Sequence, residues 1–111
     1  MDDNQKNIFN DSIETCSNDP LTGFFRDGCC NTDINDLGEH LVCCLMSKEF
    51  LTFSKEVGND LSTPVPEFNF PGLKEGDKWC LCAQRWIEAY DNHCAPNVFL
   101  LSTNVKTLKI I

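Results

Sequence analysis

Eight cysteines, at positions 16, 29, 30, 43, 44, 80, 82 and 94, constrain this chain more than any other feature. No two are separated by two residues. The Cys-x-x-Cys pairing used by thioredoxin-type redox sites and zinc ribbons is therefore absent. Eight in 111 residues falls just under the roughly 8–10% that marks a disulfide scaffold by composition. The chain opens MDDNQKNIFNDSIETC, with neither a basic n-region nor an apolar stretch after it. It does not read as a secretory signal peptide, so a cytoplasmic location is expected. In a reducing cytosol structural disulfides are rare, and the expected states of these cysteines are thiol, thiolate or metal ligand.

The rest of the composition narrows the class. The longest apolar runs are far short of the roughly 20 residues a membrane helix needs, so no membrane is expected as a partner. The net charge of −8 argues against nucleic acid, whose readers carry a basic footprint. Nine of the 17 acidic residues lie within residues 1–40, against Lys6 and Arg26 alone. That segment reads as a solvated face or as a dock for a protein partner. A hydrophobic fraction of 41% with eight phenylalanines excludes wholesale disorder. Residues 1–12 are expected to be a disordered acidic tail and residues 13–111 one globular domain.

Turn formers at Asp19-Pro20, Thr22-Gly23 and Asp27-Gly28 predict a structured, non-repetitive loop. The run HLVCCLM (40–46) fits a buried strand, though periodicity alone does not separate it from a helix. Ser47 as N-cap, then Met46, Phe50, Phe53 and Val57 on one face, predict a helix over about 48–57 that Gly58 ends. Pro64, Pro66 and Pro71 make residues 59–77 a long loop. Asp77 as cap, with Trp79, Cys82 or Ala83, Trp86 and Tyr90 at helical spacing, predicts a second helix near 78–91. Residues 97–102 read as a strand, and 105–111 as a turn and a short strand. The fold class is α+β, two helices on a small sheet.

Candidate zinc ligands are Cys16, Cys29, Cys30, His40, Cys80 and Cys82, without a spacing signature. Cys80 and Cys82 would share a face on a strand but not on a helix. Placed in the first turn of the second helix, Cys80 is the candidate reactive thiol, because the helix dipole favours thiolate. Cys43 and Cys44 read as core residues and Cys94 as incidental. His40 is a candidate ligand, a general base for a cysteine, or a structural histidine, whereas His93 reads as exposed. A Cys–His nucleophilic pair stays open, since such partners are neighbours in space rather than in sequence. Arg26-Asp27 is a candidate anion contact or a loop anchor, and Trp79 joins these two as a further pocket candidate.

The stretches DPLTGFFRDGCCNT (19–32), EFLTFSKEVGNDLSTPVPEFNFPGL (49–73) and GDKWCLCAQRWIEA (76–89) resemble the bacterial family catalogued as domain of unknown function 2237. The resemblance covers about residues 15–102 and includes Cys16, Arg26, Asp27, Cys29, Cys30, His40, Cys43, Asn59, Asp60, Trp79, Cys80, Cys82, Arg85 and Trp86. Cys44 and Cys94 depart from the pattern. Ser102-Thr103-Asn104 stands where the family tends to have a threonine–histidine pair. The resemblance implies a small, single-domain cytoplasmic protein and brings no activity with it.

The leading expectation is a cysteine-rich domain whose loops, 16–30 and 59–80, gather Cys16, Cys29, Cys30 and Cys80 into a metal or thiol site beside His40. The alternative is a non-enzymatic interaction module in which the cysteines only pack, or pair as disulfides. No phosphate-binding glycine loop, serine elbow or His-Glu-x-x-His motif occurs, so the sequence reads against an enzyme.

Overall fold

His40–Leu45 forms β1, the central strand of a three-stranded sheet in a computed structural model that describes residues 5–111. Lys78–Cys82 (β2) and Asn97–Val98 (β3) pair with it antiparallel on either side. A central strand is covered on both faces, which is why its apolar run is continuous rather than alternating. Leu41, Val42, Cys43 and Cys44 are all buried. β2 alternates. Trp79 and Leu81 enter the main core, while Cys80 points to the opposite face.

The helix α1 (Lys48–Glu56) starts where expected, with Ser47 Oγ accepting from the Phe50 N–H at 3.1 Å. It buries Phe50, Leu51 and Ser54, with Val57 left at the exposed end of the stripe. Together with α2 (Ala83–Asp91) it covers the Leu41/Trp79/Leu81 side of the sheet. The long loop after α1 folds back on itself through Val65 N–H to Phe70 O and Leu73 N–H to Leu61 O. Phe70 then meets the Trp79 ring edge-on at 5.4 Å.

Several expectations are corrected. The second helix starts at Ala83, not near residue 78, because Lys78–Cys82 is extended and paired with β1. The helical spacing of Trp79, Trp86 and Tyr90 spans a strand end and a helix. Asp77 caps nothing in α2, since its carboxylate accepts from the Lys74 N–H. The strand expected over 97–102 stops at Val98, and 3-10 turns at Leu100–Ser102 and Val105–Lys109 replace the rest. There the chain turns inward, with Asn104 N–H bonding Leu41 O.

Of the disordered tail expected over residues 1–12, residues 1–4 lie outside the described residues; within 5–12 Lys6 and Phe9 to Ser12 are exposed and Asn7 is the buried anchor. Asn7 is fully buried, its Nδ2 donating to Leu101 O and its Oδ1 accepting from the N–H groups of Phe9 and Asp11. Among the described residues no helix is long and apolar enough to cross a membrane.

The expectation of reduced cysteines is also corrected. Two disulfides join Cys16 to Cys43 and Cys30 to Cys80, with Cα separations of 5.7 and 5.3 Å. The reason lies in the sheet register. Cys43 and Cys80 are cross-strand partners on one face, and the loop over residues 13–32 lies across that face. Each strand cysteine takes one loop cysteine. Thr22 Oγ1 accepts from the Cys80 N–H at 2.9 Å, so the loop also closes this edge by hydrogen bonding.

Candidate functional site

The register of β1 against β2 breaks at one point. Val42 opposes Leu81, yet the next partner of Cys82 is His40 rather than Leu41. One extra residue has been inserted in β1, a β-bulge, and such bulges re-aim side chains. Leu41 goes into the main core, and His40 comes to lie directly across from Cys82. Glu39 makes the bend with φ of 51°, and its carbonyl accepts from the N–H groups of both Leu41 and Ala83. Regular pairing would have set a leucine beside Cys82.

The other side of the His40 ring is held by Asp36. His40 Nδ1 lies 2.7 Å from Asp36 Oδ1, and the Asp36 side chain is wholly buried. The second carboxylate oxygen accepts from Thr32 Oγ1 at 2.8 Å and from the His40 N–H at 3.0 Å. A carboxylate so bound accepts a hydrogen bond from Nδ1–H, which turns the Nε2 side of the ring toward Cys82. Gly38 makes room for the pair. A methyl group there would sit 2.7 Å from His40 Cε1 and 3.3 Å from both His40 Nε2 and Cys82 Sγ.

These contacts raise the His40 pKa from its ordinary 6.5 to about 9. The largest cause is the hydrogen bond with the Cys82 side chain. Burial opposes it, and the Asp36 carboxylate adds to it. At neutral pH the ring is an imidazolium between a carboxylate and a sulfur. Folding therefore tightens proton binding, so the stabilisation from this pair is complete below about 6.5 and is lost as pH rises through about 9. Melting curves should show wild type above His40→Asn at about pH 6 and the gap closing through about pH 9.

Cys82 is half-buried and forms the N-cap of the nine-residue helix α2, without a side-chain cap bond of its own. Its sulfur thus lies by the positive end of a helix dipole as well as by the imidazolium. It opens on a cleft of about 250 Å³ that Arg26, His40, Phe70, Trp79 and Leu81 also line. The Arg26 guanidinium lies 5.2 Å over the Trp79 ring.

The expected ligand set is divided between two places. The Sγ atoms of Cys16, Cys30 and Cys80 lie within 4.8 Å of one another, buried under the loop. His40, at the start of β1, and Cys82, at the end of β2, belong to the cleft. Cys29 packs against the buried group as a half-buried thiol, its pKa raised mainly by burial. Cys80 does not sit at a helix start. It lies mid-strand, 1% exposed and bonded to Cys30, so it offers no free thiol. Asp27 anchors its loop, accepting from the Cys29 N–H and from Asn31 Nδ2. Cys44 is a core residue whose thiol burial pushes far up, and Cys94 is half-buried beside the same core. His93 is exposed. Sequence reasoning missed Asp36, Gly38 and the pairing role of Cys43. The four-residue spacing of Asp36 and His40 was the only trace of the first.

DUF2237, described as an uncharacterized protein conserved in bacteria, matches residues 6–111. No curated protein matches the chain.

Proposed function

We propose that this chain, which belongs to the DUF2237 family, uses Cys82 as a nucleophile for acyl transfer, with His40 as proton carrier and Asp36 as the residue that positions His40. The observation that carries this reading is the placement of His40, held by Asp36, directly across from Cys82 at the edge of an open cleft. The imidazole ring stands ready to carry a proton beside the sulfur, and the positive end of the α2 dipole lies next to it. The Asp36 contact fixes the tautomer, as the third member of such arrays does.

The reaction follows from the groups present. Cys82 Sγ attacks a carbonyl carbon, forming a C–S bond as the bond to the leaving group breaks. His40 Nε2 gives its proton to the leaving group. Water then attacks the thioester while His40 takes a proton from it. This releases the carboxylic acid, frees the Cys82 sulfur and leaves the proton on His40. General acid–base catalysis of this kind contributes about 10²–10⁴-fold.

The test is a burst experiment with p-nitrophenyl acetate. The expected result is a burst of about one p-nitrophenolate per chain, with an acetyl group on the Cys82 peptide and none in Cys82→Ser. Acetylation that ignores Cys82 would overturn the reading.

A second reading rests on the convergence of Cys16, Cys30 and Cys80. In a chain whose bridges have not yet formed, these residues, with Cys43 beside them, make a four-cysteine set of the kind that binds structural zinc. Reducing purification with zinc present should then yield about one zinc per chain, and under about a tenth would exclude it. The cytoplasmic location is kept as part of the proposal. Each bridged cysteine is at most 3% exposed, so soluble reductants have little access to these bonds.

A further inference from the structure

We propose that the cleft beside Cys82 takes acyl substrates bearing a carboxylate, which Arg26 binds; this rests on Cys82 being the nucleophile.

Arg26 lies in an acidic protein yet forms no ion pair among the described residues. The chain offers 17 acidic side chains against nine lysines and arginines, and among the described residues none of the carboxylates lines this cleft. Among the described residues the protein spends one hydrogen bond on the guanidinium, Nη1 donating to Gly23 O at 2.8 Å. The remaining donors of its planar fork are open to a ligand.

The position is built rather than incidental. Arg26 has φ of 54°, uncommon for a residue with a side chain. Its N–H bonds Gly23 O at 3.0 Å. Gly23 has φ of 98°, and any Cβ there would run into Cys29 O. The vicinal pair Cys29-Cys30 then leads straight into the bridge with β2. The turn that carries Arg26 is thus tethered to the strand that carries Cys82. Trp79 lies beneath the guanidinium and Phe70 beside Trp79, which gives the cleft an aromatic wall. One fork over an apolar wall suits a planar carboxylate, which it can grip with two parallel hydrogen bonds. A phosphate dianion calls for several donors, and here the other cation, His40, is engaged by Asp36 and Cys82.

Two alkylating probes test this on the whole protein, 4-(2-chloroacetamido)benzoate and the neutral 2-chloroacetanilide. In both, the sulfur attacks the CH₂ carbon, a C–S bond forms, the C–Cl bond breaks and chloride leaves with the electron pair. Rates at Cys82 are read by peptide mass spectrometry. The anionic-to-neutral rate ratio should be about tenfold higher in wild type than in Arg26→Gln, with Arg26→Lys between them. The neutral probe corrects for any change in the intrinsic reactivity of the sulfur, so the ratio alone reads the carboxylate contact. An equal ratio in wild type and Arg26→Gln overturns the carboxylate assignment alone. Failure of the neutral probe to label Cys82 ahead of Cys29 and Cys94 overturns the nucleophile, and the assignment with it.

Discussion

Replacing Cys30 and Cys80 together by alanine is expected to lower the melting temperature by about 15 °C. The bridge spans 50 residues of sequence, and closing a loop of that length removes about 4 kcal/mol of unfolded-chain entropy. A domain of this size has roughly 5–15 kcal/mol in all. The loop over residues 13–32 has little regular structure with which to make up the loss. Besides the two bridges it is attached by the Thr22 contact to Cys80, a small cluster around Ile13, and single hydrogen bonds such as Glu14 N–H to Leu101 O and Asn104 Nδ2 to Cys30 O. Differential scanning calorimetry of the double variant measures the effect. A shift within about 3 °C would mean that packing alone holds the loop.

Asp36→Asn should fold and yet lose most of the reactivity of Cys82. The amide keeps an oxygen for Thr32 Oγ1 or the His40 N–H, but where it turns its nitrogen to the ring it donates to Nδ1. Nε2 is then left carrying the proton and cannot accept one from sulfur. The acyl burst at Cys82 should slow about 10²-fold, with a change in melting temperature of only a few degrees. Asp36→Ala is the harsher change. It strips three buried or half-buried donors of their acceptor and should cost about 3 kcal/mol. If Asp36→Asn kept full reactivity, Asp36 would be a loop anchor only.

Much of the fold was legible in the sequence, and the boundaries show where it was not. Ser47, Phe50 and Gly58 announce α1 because a cap, a stripe and a stop agree. Residues 78–82 misled because Trp79 and Ala83 are both apolar and spaced for a helix, while the pairing with β1 that makes them a strand is non-local. The same non-locality hid the bridges. Cys43 and Cys80 are 37 residues apart, and only the register puts them on one face. His40, Cys82, Arg26 and Trp79 were all candidates by residue type. That they meet in one cleft depends on a one-residue bulge at Leu41, a feature with no signature in a lone sequence. Asp36 was indistinguishable from the other acids of the first forty residues. Its burial, not its position, sets it apart.

Site-resolved alkylation of the native protein with iodoacetamide at about pH 7 tests the central claim most directly. Four cysteines, at positions 29, 44, 82 and 94, are free to react. The account predicts that Cys82 is modified first, at least about tenfold faster than Cys29 and Cys94, with Cys44 silent until the protein unfolds. Equal rates at Cys82 and Cys94, or a Cys82 that reacts only on denaturation, would contradict it.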